Sequence, residues 1–185
     1  MTEALRLAAR TAMLGIELGY RRAHRLEPLG RVLLVGRDRY RGASITLPDG
    51  TRIERGDEVG SLHFNNLGFS HLSASSARAA ARTFAREMLA SMQALADAVR
   101  TSDRLAGIEA FHATSWLPPH GARIGFVALP LPEGPATRLR AAWFRFLLWT
   151  FAPARETREQ ARPQPHAYWI SRRALIERFP CRASI

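Results

Sequence analysis

Ala77, Ala81, Phe84, Met88, Met92, Leu95 and Val99 are separated by four, three, four, four, three and four residues. That spacing returns apolar side chains to one side of a cylinder with 3.6 residues per turn. It fits no strand, in which side chains alternate with period two. The segment from about 74 to 101 is therefore predicted to be a long amphipathic helix, with Ser73, Ser75 or Ser76 placed to cap it. A stripe of seven apolar residues has to be covered by an apolar layer from elsewhere in the chain. Arg78, Arg82 and Arg86 step by four along the same helix, opposite part of the stripe. Three guanidiniums in a row can grip phosphates through bidentate forks. The plain alternative is a solvated helix face, with Glu87 and Asp97 nearby.

The covering layer reads as strands. Val32 to Val35 and Ser44 to Leu47 are β-favouring runs, Pro48-Asp49-Gly50 is a turn signal, and Thr51 to Ile53 continues the hairpin. Gly56-Asp57 marks a second turn before Val59 to Phe64. Three or four short antiparallel strands follow from this. Gly107 to Leu117 and Ala122 to Leu129 read as two more strands, and the turn Pro118-Pro119-His120-Gly121 between them suits a hairpin.

Three further helices are predicted, over 3–25, about 136–152 and 172–179, the last capped by Ser171. In the first, Leu5, Ala9, Ala12, Ile16 and Tyr20 give one apolar face, while Gly15 and Gly19 either weaken the helix or mark close approach of another backbone. Residues 153–165 read as an exposed loop and Ala167 to Ile170 as a short strand. The expectation is one α+β domain over 1–185: a small, mostly antiparallel sheet built from hairpins, packed against one long helix and three others.

At 185 residues the chain can bury roughly 70% of its unfolded surface, enough for a core without disulfides. Its 27 basic and 16 acidic side chains give a formal charge of +11, and every basic residue is Arg. The absence of Lys removes Schiff-base, P-loop and Ser-Lys chemistry. An all-Arg surface is most simply a compositional bias and identifies no partner. Cys181 is the single cysteine and has no intrachain partner, which fits a reducing cytoplasm. Glu3 and Arg10 interrupt the first apolar stretch, so no secretion signal is expected, and no run of 18 apolar residues predicts a membrane span.

Several spaced motifs occur together: Tyr40-Arg41-Gly42, Leu47-Pro48-Asp49-Gly50, Gly56-Asp57-Glu58-Val59-Gly60-Ser61-Leu62-His63-Phe64-Asn65-Asn66, Arg123-Ile124-Gly125-Phe126 and Trp169-Ile170-Ser171-Arg172. Their order and spacing resemble the YkoP-like domain family of bacteria, from about residue 10 to residue 179. That family is best known as a domain appended to polysaccharide deacetylases. The resemblance implies a link to envelope polysaccharide and carries over no catalytic residue. No deacetylase segment is read within these 185 residues, so a role in that setting is expected to pass through a separate partner enzyme or through the chain alone.

Within these motifs, Leu62-His63-Phe64-Asn65-Asn66 is the strongest candidate site. Strand alternation turns Leu62 and Phe64 inward and His63 outward, with two amides just beyond. Imidazole and amide groups together orient a hydroxyl-rich ligand or a phosphate. Tyr40, Arg41 and Asp57 would join them if the hairpins stack. The plain alternative is an Asn pair that caps a turn and a His63 that satisfies a backbone carbonyl. In the 141–152 helix, Phe144, Trp149 and Phe151 lie off the side covered by Leu139, Trp143, Phe146 and Leu147, and Arg145 interrupts the apolar run. Either this is a core helix or it is a surface for a partner or an anionic membrane.

No His-Glu-x-x-His, Gly-x-Ser-x-Gly or Gly-rich phosphate loop is present, so neither metal nor cofactor is expected. The leading expectation is an accessory or binding protein of envelope polysaccharide or glycolipid metabolism, cytoplasmic and peripheral to the inner face of the membrane. An enzyme using His63 as acid/base, assisted by Asp57 or Tyr40, is the second reading. A nucleic-acid binder, from a pI near 11.5, is the third.

Overall fold

A computed structural model of the chain describes residues 3–65, 77–115, 124–151 and 165–181. In chain order the elements are α1 (Glu3–Ala23), β1 (Glu27–Leu29), β2 (Leu33–Arg39), β3 (Ile45–Thr46), β4 (Arg52–Ile53), β5 (Glu58–Phe64), α2 (Ala77–Thr101), a 3-10 turn (Asp103–Leu105), β6 (Ala110–Ser115), β7 (Val127–Pro130), α3 (Pro135–Phe151), β8 (His166–Ser171) and α4 (Arg172–Arg178). Six strands form one sheet in the order β1-β2-β5-β6-β8-β7, and β3 and β4 form a separate two-stranded ribbon. The fold is α+β.

The C-terminal part of the periodic stripe is buried, while Ala81 is exposed and the Ala77 side chain falls outside the described residues. Met92, Leu95, Ala96 and Val99 of α2 are buried against Leu33, Val35, Leu62, Phe111 and Ile170 on one sheet face, with Leu175 and Phe179 from the α4 end closing the same core. Phe84 and Met88 pack at its margin. The serines proposed as caps, Ser73, Ser75 and Ser76, lie outside the described residues.

All strand pairs of the sheet are antiparallel except β5 with β6, which run parallel through Gly60↔Phe111 and Ser61↔His112. A parallel pair needs a long crossover, and α2 lies in the stretch that supplies it. The pair is close: a Cβ on Gly60 would overlap the Phe111 ring. Here the predicted hairpin between 107–117 and 122–129 is wrong. Both strands exist, but β8 lies between them and pairs with each, Trp169 opposite both His112 and Val127. The turn 118–121 lies outside the described residues.

The Asp49 turn forms as its residues dictate. Gly50 takes φ +85, Leu47 and Thr51 close the ribbon through a 2.8 Å backbone bond, and the Asp49 carboxylate accepts from Thr51 N–H at 3.0 Å. This ribbon covers part of the other sheet face, where Leu47, Ile53, Val59, Ala110 and Trp169 make a second, smaller core.

Motif residues far apart in sequence meet there. Ser171 caps α4, its Oγ accepting from Ala174 N–H at 3.0 Å, and its hydroxyl donates to Asp49. Arg172 donates to the carbonyls of Val99 at 2.6 Å and Leu105 at 3.1 Å, tying the end of α2 to the following turn. A guanidinium with five donors can serve several carbonyls at once, which an ammonium on a flexible stem does less well. Some of the arginine excess is thus structural.

α1 departs from its sequence reading. Among its described side chains Met13 is the buried one, while Ala12, Ile16 and Tyr20 are exposed, and those of Leu5 and Ala9 fall outside the described residues. No described atom stands within 4 Å of where a Cβ would sit on Gly15 or Gly19, so no described backbone approaches them closely. α1 contacts α3 and reaches the sheet through Tyr20.

Candidate functional site

The alternation of β5 places Leu62 and Phe64 on the α2 face, with Phe64 and Phe84 rings 6.2 Å apart. Ser61 and His63 consequently face the other way, two residues apart on the same side of the strand. Ser61 Oγ and His63 Nε2 share a 2.7 Å hydrogen bond. On β6 the register puts His112 opposite Ser61, and the His112 ring stacks on Trp169 of β8 at 4.7 Å. Tyr20 of α1 sets its edge against the His63 ring at 5.2 Å and lies 4.1 Å from the His24 ring. Three strands and one helix therefore converge on a row that runs from buried Ser61 and Trp169 through half-buried His63 and His112 to exposed Tyr20 and His24.

The electrostatics of the row follow from burial. Desolvation, reinforced by His112 and His24 and opposed by Asp38, lowers His63 to about 4. His112 is lowered chiefly by burial, with Asp38 opposing and Arg140 of α3 reinforcing. Tyr20 is raised by burial and by Asp38, against Arg140. At neutral pH both buried imidazoles are neutral, each with one donor and one acceptor nitrogen. Such a row can read hydroxyls and amides. It is a poor proton shuttle, because an acid/base group works best with its pKa near the operating pH. With a pKa of about 4, only about one His63 ring in a thousand carries a proton at pH 7.

The other candidates are placed elsewhere. Tyr40 exchanges backbone bonds with the Gly56-Asp57 turn, donates its hydroxyl to Ala43 O at 2.6 Å and sets its ring edge-on to Trp169 at 5.3 Å. The Asp57 carboxylate accepts from Glu54 N–H at 2.7 Å, within its own turn. Arg41 is exposed. Asp57 precedes His63 by six residues along an extended strand, about 20 Å, so the stacking that would bring Tyr40, Arg41 and Asp57 to His63 does not occur. Asn65 donates its side-chain amide to Arg31 O at 3.0 Å and its N–H to Val32 O at 2.9 Å, closing the end of the β2–β5 pair. Asn66 lies outside the described residues.

Arg78, Arg82 and Arg86 are exposed on α2, across the sheet from His63, and Glu87 beside them pairs with Arg31 at 3.9 Å. Phe144, Arg145, Trp149 and Phe151 belong to α3 by backbone, and their side chains fall outside the described residues. The described residues contain no group of three or more His, Cys, Asp or Glu side chains able to hold a metal. A separate apolar cleft of about 120 Å³ is lined by Leu47, Pro48, Gly125, Trp169 and Ile170, with Asp49 and Ser171 beside them.

Sequence reasoning found His63 and missed His112, Tyr20, His24, Asp38 and Arg140. Ser61 was findable, since two residues apart on a strand means the same face. The rest depend on a parallel pairing and on the seat of α1, which no local pattern encodes.

The chain matches the YkoP domain over residues 7–179, and it belongs to that family. The match spans every motif noted in the sequence, including the Asp49 turn, the strand bearing Ser61 and His63, and the segment from Trp169 to Arg172. No curated protein matches the chain, and no solved structure does. No described helix is long and apolar enough to cross a membrane.

Proposed function

We propose that this YkoP domain is a non-catalytic binding module that serves an enzyme of bacterial envelope polysaccharide or glycolipid metabolism, in the cytoplasm at the inner face of the membrane. The observation that carries this reading is the neutral row of Ser61, His63 and His112 beside Trp169 and Tyr20. Glycans present uncharged hydroxyls on an apolar ring frame, and they are held by directional hydrogen bonds and aromatic contact. Neutral imidazoles and a serine hydroxyl next to aromatic rings supply both. The motif resemblance supplies the polysaccharide context, and the lone Cys181 fits a reducing compartment.

The test is an NMR titration with envelope-type saccharide fragments, acetylated and deacetylated. The imidazole resonances of His63 and His112 should shift in a saturable way, and His63→Ala should abolish the shift while leaving the amide spectrum dispersed. Absence of any saccharide-dependent shift sinks the binding reading. Turnover of a fragment that His63→Ala removes establishes the enzyme reading in its place.

A further inference from the structure

We propose that α1 and α3 together form a docking surface for an anionic phospholipid bilayer. This deepens the reading of the module as peripheral to the membrane and is independent of which saccharide it binds. Among the described residues six large apolar side chains are exposed, and five of them lie on these two helices: Ile16, Leu18 and Tyr20 on α1, Leu139 and Trp143 on α3. Tyr20 is engaged with His63, and Leu18, two residues from Ile16, lies on the opposite side of α1, so the surface is built on Ile16, Leu139 and Trp143. Their exposures are 54% for Ile16, 73% for Leu139 and 42% for Trp143. Leu139 and Trp143 are four residues apart, on one side of α3. α1 and α3 touch one another, and Arg140, next to Leu139, acts on Tyr20, one turn from Ile16. The apolar face read from the α1 sequence is open around Ile16, and no described atom lies over Gly15 or Gly19.

Charge selects the occupant. The two helices carry seven arginines against two glutamates, and α3 has no acidic residue at all. Arg22, Arg138 and Arg140 are exposed around the apolar residues. A second copy would bring two such basic faces together, and like charges across an interface repel. An anionic headgroup layer attracts the arginines, while Leu139, Ile16 and the indole of Trp143 enter the boundary between headgroups and acyl chains. Aromatic side chains favour that interfacial depth. Neither helix is apolar enough to span the bilayer, so contact stays at the surface.

The experiment is co-sedimentation of the full chain with vesicles of phosphatidylglycerol and phosphatidylcholine, and with phosphatidylcholine alone. The protein should pellet with the mixed vesicles, stay in solution with the neutral ones, and be released as salt rises. Leu139→Asp and Ile16→Asp should each lower the bound fraction at least fivefold, and Arg138→Glu should do the same at low salt. All three sites are exposed, so thermal melting of the variants should match the parent. Recovery of the wild-type chain in the supernatant, equal pelleting with neutral vesicles, or undiminished binding by Leu139→Asp overturns the proposal. So does a dimer in solution that Leu139→Asp dissociates, which would assign the surface to a second copy. Vesicle binding is read without saccharide, so a failed glycan titration leaves it standing. Leu139→Asp should keep any saccharide-induced shift at His63.

Discussion

His63 and His112 sit one strand apart, and a proton on either ring would be held beside another imidazole with little water to share it. Burial lowers both, and the pair reinforces the effect at His63, while the Asp38 carboxylate opposes it. The His63 shift from an ordinary 6.5 to about 4 has a thermodynamic consequence. Between those values the unfolded chain binds a proton that the folded chain refuses. Stability from this residue is therefore full above pH 6.5 and is lost as pH falls toward 4. The amount is roughly 2–3 kcal/mol for a ring this far buried. Urea unfolding between pH 7.5 and 4.5 should show a falling midpoint, and His63→Gln should flatten that fall by removing the titration while keeping a hydrogen-bonding side chain. A ring resonance titrating near 6.5 in the folded protein would contradict the burial argument and with it the neutral recognition row. The groups facing His63 are His24, Tyr20, His112, Ser61 and Asp38, and none of them except Asp38 favours a charged ring.

Elements that rest on local chemistry were legible in the sequence, and elements that rest on distant partners were not. The α2 helix with its packed stripe from Phe84 to Val99, the Asp49-Gly50 turn and the Ser171 cap all follow from spacing or from the special geometry of one residue, and each forms. The β6–β7 hairpin was inferred from proximity, and proximity failed because β8, arriving some fifty residues after β6, pairs better with both. The same limit applies to the site: His63 is visible in its strand, whereas His112 reaches it only through the β5–β6 register.

The Asp49 turn couples a local element to a distant one. Burial pushes the Asp49 carboxyl up, but hydrogen bonds from Ser171 and Thr51 and the nearby Arg173 more than offset it and leave it lowered. Asp49→Ala removes an acceptor from the turn and from the hydroxyl that caps α4. It should cost about 1–2 kcal/mol. A double-mutant cycle with Ser171→Ala should give an interaction energy of at least ~0.5 kcal/mol. Strict additivity of the two substitutions would show that the turn and the cap are independent.

At the scale of the whole molecule the sheet is two antiparallel trios, β1-β2-β5 and β6-β8-β7, joined by two register pairs at Gly60 and Ser61. The cores on its two faces are unequal in origin. The α2 face draws on both trios and on the chain end, through Tyr168, Ile170, Leu175 and Phe179. The second core depends on Trp169, which also stacks on His112 and meets Tyr40. Removal of β8 and α4 therefore strips both faces at once and leaves β6 and β7 without a common partner. Truncating a single buried Ile or Leu to Ala costs about 2–5 kcal/mol, against about 5–15 kcal/mol for a domain's entire stability. A chain ending at residue 164 should show poorly dispersed amide resonances and no cooperative urea transition. α1 is attached differently, by Met13, the Tyr20 contact and its neighbour α3. A chain starting at residue 24 should keep a cooperative transition at a lower midpoint, because the six-stranded sheet and the α2 core remain whole. If both truncations unfold the protein, α1 is part of the folding unit, and the open face assigned to membrane contact would have to be reassigned to the interior of a larger assembly. If neither does, the two trios fold independently and the short β5–β6 junction is only a hinge between them.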